Sequence, residues 1–68
     1  MEDIQTIEGR VSEALPATLF RVKGSDGKEY LSYLGGRMRV NKIKVLVGDK
    51  VLLQLDEYGG KSRIIKRL

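Results

Sequence analysis

The sequence predicts an all-β fold: a five-stranded Greek-key barrel with a short helical turn between strands 3 and 4. Apolar residues recur with a period of two more than with a helical period, and turn residues interrupt them at short intervals. Length sets the scale, because 68 residues make one small domain, 1–68, that buries about 60% of the surface its unfolded chain exposes. The chain has no Cys and no His, hence no disulfides and none of the usual soft metal ligands. Packing must hold the core.

The first strand is expected from about Ile4 to Ala14, with Ile7, Gly9 and Val11 on one face and Glu8, Arg10 and Ser12 on the other. Gly9 marks a bend or a close backbone approach. Pro16 ends the strand, since it cannot donate to a ladder and holds Leu15 extended. The second strand, Thr18 to Lys23, sets Phe20 and Val22 against Leu19, Arg21 and Lys23, and Gly24-Ser25-Asp26-Gly27 suits a tight hairpin. The third, Lys28 to Leu34, places Tyr30, Leu31, Tyr33 and Leu34 on both faces.

One helical turn is expected around Met38 to Asn41. From Lys42 the period of two returns, with Ile43, Val45 and Val47 on one side and Lys44 and Leu46 on the other. Val47-Gly48-Asp49-Lys50 reads as a turn. Val51, Leu53 and Leu55 then alternate with Leu52 and Gln54 in the fourth strand, Asp56 to Lys61 turns, and Ser62 to Arg67 forms the fifth. Five strands with an insertion after the third are the elements of an OB fold.

Charge is distributed unevenly. Residues 1–34 hold four Lys/Arg against six acids, a net −2, and residues 35–68 hold nine against three, a net +6, summing to +4. A basic half of this kind fits a polyanionic partner. The stretch GGRMRVNKIK carries Arg37, Arg39, Lys42 and Lys44 with no acid, alternating with apolar residues that can anchor the backbone. A second cluster, KSRIIKR, holds Lys61, Arg63 and Arg67. An anchored guanidinium loses less entropy on meeting a phosphate. The bland reading is a solvated, soluble face.

In OB folds the binding face is commonly strands two and three with their flanking loops, which brings in Arg21, Tyr30 and Tyr33. Tyr30 and Tyr33 are candidates for base stacking, although each, like Phe20, also reads as a core or half-core residue. Met38 reads as a packing plug.

Catalysis has little material. No His is available for acid–base work, and Asp26 and Glu29 sit in a turn and at a strand start, a poor carboxylate pair. The glycine pairs at 35–36 and 59–60 match neither phosphate-loop pattern. No cofactor, metal site or catalytic residue is expected. The start MEDIQTIEG is acidic with no apolar core, and no run approaches the roughly 20 residues that span a bilayer. The expectation is a cytoplasmic monomer with no membrane partner.

Taken together, GRVSEALP, LFRV, DG, GGRMR, IKVLVGDKV and SRI resemble bacterial translation initiation factor one, of the S1-like OB-fold family, over nearly the full length. The family pattern reads G-x-V-x-E-x-L-P, F-R-V, N-G-H, S-G-K-M-R and G-D-x-V. Departures stand at Lys28 and Tyr33, where the family commonly has His, at Val40, where it commonly has Lys, and in a last turn one residue shorter. The resemblance implies an RNA-binding, non-enzymatic factor on the small ribosomal subunit at the decoding (A) site. There it would contact ribosomal RNA and a small-subunit protein, keep aminoacyl-tRNA out and assist initiation factors two and three. It also implies Arg37, Met38, Arg39 and Arg63 as site residues, with Lys42, Lys44, Lys61 and Arg67 supporting them by charge. The rival readings are a stand-alone RNA chaperone of cold-shock or S1 type and a small barrel that binds an acidic protein partner. The chain lacks the interleaved aromatic stripe that the chaperone reading favours.

Overall fold

A computed structural model describes residues 5–68. Five strands, β1 (Thr6–Leu15), β2 (Leu19–Gly24), β3 (Glu29–Leu34), β4 (Lys50–Gln54) and β5 (Ser62–Arg67), close a barrel in the order β1-β2-β3-β5-β4. A short helix, α1 (Gly36–Val40), follows β3. The expected strand boundaries hold to within two residues, except that Ile4 lies outside the described residues.

β1 is long because it pairs with both β2 and β4, and it must coil to do so. Two features permit this. At Gly9 a Cβ would lie 2.7 Å from Val22 Cγ1 and 2.8 Å from the Lys23 carbonyl, so only glycine fits the close crossing. Ser12 is an extra residue between the pairs Val11↔Val22 and Glu13↔Arg21, a bulge that sharpens the bend.

The barrel closes where β3 and β5 run parallel, with Ser32 opposite Ser62. Both serines are buried, and Ser32 donates its hydroxyl to the Tyr30 carbonyl. Their small side chains let the two strands meet. Inside, Val11, Phe20, Val22, Val45, Val51, Leu53 and Ile64 pack with Met38. Each such side chain contributes about 1.5 to 3 kcal/mol when fully buried.

The period-two stretch after Lys42 does not form the strand its pattern predicts. Val45 is buried and Ile43 half-buried, but Val47 is 60% exposed and no ladder forms before Lys50. The segment instead crosses the end of the barrel, held by Gly48 N donating to Val11 O at 2.8 Å and Val11 N to Asp49 O at 2.9 Å. Alternation there records one inward anchor and a solvated loop.

Candidate nucleic-acid interface

The helix end of the barrel is built from β3 outward. Gly35 N donates to Ile64 O at 2.9 Å, and a Cβ on Gly35 would lie 3.0 Å from that oxygen and 3.2 Å from Arg63 Cγ. Glycine thus lets the chain leave β3 pressed against β5. α1 then drops Met38, 2% exposed, into the core and leaves Arg37, Arg39 and Val40 outside. Its end is a Schellman turn: Ile43 N donates to Met38 O at 2.9 Å and Lys42 N to Arg39 O at 3.1 Å. Half-buried Ile43 packs on the core beside Met38. Lys42 takes the left-handed position, φ 53°, that glycine usually fills. A lysine there costs about 1 kcal/mol against glycine.

Between α1 and β5 runs a groove. Its wider part, about 380 Å³, is lined by Arg37, Met38, Asn41, Ile43, Ile65, Lys66 and Arg67. A smaller part, about 180 Å³, adds Gly35, Gly36 and Arg63 and shares Arg37, Met38 and Ile65. No acid among the described residues lines either part. Ile65 is the extra residue of a second bulge, between the pairs Leu52↔Lys66 and Leu53↔Ile64, and it forms an apolar floor under four cations. Arg67 donates to the Lys44 carbonyl at 3.1 Å and ties β5 to the crossing loop. Arg63 lies 5.8 Å from the centroid of the Tyr33 ring, and its Nε donates to the Tyr33 hydroxyl at 3.3 Å. Held guanidiniums around an apolar floor suit a nucleotide backbone with a base edge or sugar against it.

Of the residues singled out in the sequence, Arg37, Met38, Arg63 and Arg67 line this groove. Arg39, Lys42 and Lys44 are exposed at the same end without lining it. Met38 holds the helix down from inside, so its side chain is no surface contact. Lys61 is placed apart, in the β4–β5 turn, where it lines a larger cavity of about 510 Å³ with Glu29, Asp56 and Tyr30. Mixed charge makes that cavity a poor anion site.

Tyr30 is no free stacking platform, because its hydroxyl donates to Asp26 Oδ2 at 2.5 Å. That bond, with Lys28 N donating to Oδ1 at 2.9 Å, holds the Asp26 carboxyl below the usual range, and the same contact raises Tyr30. Tyr33 is half-buried and has Arg63 over its ring. Arg21 is ion-paired with Glu13 at 3.0 Å and stands 4.0 Å from Glu29, away from the groove.

Lys66 stood in the KSRIIKR cluster without being singled out and Ile65 read as an ordinary strand residue; a bulge brings both to the groove. Tyr58, 88% exposed in the glycine-rich β4–β5 turn, is the aromatic that strand patterning passed over.

No helix among the described residues is long and apolar enough to cross a membrane. The barrel is similar to YjeQ from Thermotoga maritima (TM-score 0.78, 25% identity, 94% of this chain) and to YloQ, a circularly permuted GTPase (TM-score 0.80, 25% identity, 94% of this chain). The chain spans only 23% of each of those proteins. It is also similar to the first translation initiation factor from the Wolbachia endosymbiont strain TRS of Brugia malayi, with TM-score 0.80 and 38% identity over 96% of this chain and 78% of that one. The family described as Translation initiation factor 1A / IF-1 matches residues 1–68 throughout, and the chain belongs to that family.

Proposed function

We propose that the protein binds the small ribosomal subunit at the decoding (A) site through the helix end of the barrel. The single observation that carries this reading is the groove of Arg37, Arg63, Lys66 and Arg67, lined by no acid among the described residues, in a chain of the initiation factor family. Ribosomal RNA supplies the polyanion, and a groove in which Arg63 and Arg67 are held in place suits folded phosphates better than a flexible strand. Arg39, Lys42 and Lys44, exposed at the same end, extend the positive surface toward flanking RNA.

In this role the domain acts by occupancy, with no bond made or broken. A barrel with principal extents of 31 × 27 × 22 Å lodged in the site keeps aminoacyl-tRNA out during initiation and supports initiation factors two and three. A footprint on isolated small subunits tests the reading. Protection of decoding-site nucleotides is expected, lost on replacing Arg37 and Arg63 together with Ala. Protection elsewhere, or none, contradicts it.

The chaperone reading fares worse for a specific reason. Its expected platform, the outer face of β2 and β3, has its aromatic covered by Arg63 and its Arg21 paired with carboxylates.

A further inference from the structure

The outer face of β2 and β3 holds most parts of a single-strand binding platform. Tyr33 lies opposite Leu19 and beside Arg63, Leu31 is 42% exposed opposite Arg21, and Lys23 completes the row. Aromatic and apolar groups alternating with cations are what sequence-tolerant single-strand binders use. Two carboxylates oppose that use. Glu13 lies opposite Arg21 and bonds it at 3.0 Å, and Glu29 approaches it at 4.0 Å from the β3 side. Arg21 is thus outnumbered two to one.

We propose that Glu13 and Glu29 are specificity determinants whose carboxylates neutralise Arg21 and keep generic single-stranded RNA off the outer face of β2 and β3, leaving the helix end as the RNA site. The inference rests on the ribosomal reading for its purpose, though not for its physics. All three side chains are about half exposed, and exposed pairs of this sort add little stability. Their effect is on the local field. A carboxylate about 7 Å from a bound phosphate weakens it about threefold in water-like surroundings, and two weaken it roughly tenfold at low salt.

The test is the double variant Glu13→Gln with Glu29→Gln, titrated against a fluorescent oligouridylate of about 12 nucleotides. Binding is expected to tighten about fivefold to tenfold at low salt, with a log–log salt slope steeper by about 0.7 for the freed cation. Adding Arg21→Gln removes one favourable charge and should cut the gain back to about threefold. An unchanged affinity overturns the proposal, as does a gain that the loss of Arg21 leaves undiminished. If circular dichroism shows the double variant unfolded, Glu29→Gln alone leaves the 3.0 Å pair in place and should gain about twofold to threefold; no gain there counts against the proposal equally. Parent binding to isolated small subunits, measured in parallel, reports on the ribosomal reading by itself, because the oligouridylate comparison needs no subunit.

Discussion

At the helix end, Arg37, Arg39, Lys42, Lys44, Lys66 and Arg67 form no ion pair among the described residues, and the carboxylate of Asp49 in the crossing loop accepts from Leu46 N at 2.8 Å. On the sheet face, Glu13 and Glu29 both stand against Arg21, and Lys23 lies opposite Glu29 in the ladder. Both regions combine arginine with exposed apolar groups. They differ in what surrounds the cations: an isoleucine floor and, for Arg67, the Lys44 carbonyl at one, carboxylates at the other. A cation held by carbonyls keeps its net charge for a ligand, whereas one held by carboxylates does not. Count of basic residues is therefore a weaker guide to an RNA site than the partners those residues already have.

The difference can be disturbed most drastically from inside. Met38→Ala removes the plug under α1 and is expected to cost about 2 to 5 kcal/mol in urea unfolding, a large share of the stability of so small a domain. A loss under about 1 kcal/mol would show that the helix is not anchored through the core. Next come Arg37→Ala and Arg39→Ala, each expected to weaken subunit binding by roughly 1 to 3 kcal/mol with a nearly unchanged thermal midpoint. A large drop in midpoint would make those arginines structural.

Lys42→Gly separates stability from binding at one position. Relief of the left-handed backbone should raise stability by up to about 1 kcal/mol, offset in part by glycine's greater unfolded-state entropy, while loss of the cation weakens subunit binding. Parallel changes in both readouts would contradict that separation. A smaller effect belongs to the far end of the barrel, at Asp26. Its lowered carboxyl adds stability that is present above the unfolded-state value and lost as pH falls through the folded one. Asp26→Asn should flatten the acid limb of the midpoint-versus-pH curve and leave subunit binding alone; an unaltered limb would show the Tyr30 contact to be idle.

Strand periodicity made the barrel legible, because Phe20 with Val22 and Val51 with Leu53 are buried where alternation puts them. The segment after Lys42 misled for a physical reason: a crossing loop that must bury Val45 mimics a strand over a few residues. The basic helix end was legible in GGRMRVNKIK, since no acid interrupts it. What the sequence hid was pairing between distant positions. Arg21 meets Glu13 across a hairpin, Arg63 covers Tyr33 across the parallel seam, and a bulge turns Ile65 and Lys66 into the groove. Each depends on register, which period alone does not fix.

Salt dependence decides whether RNA is met by the cations of the helix end or by those of the sheet face. Binding of the parent, Arg37→Ala and Arg21→Ala proteins to isolated small subunits is titrated over a range of salt. Arg37→Ala is expected to lower the log–log slope by about 1, and Arg21→Ala to leave it unchanged. A slope lowered by Arg21→Ala and untouched by Arg37→Ala would place the RNA on the sheet face instead.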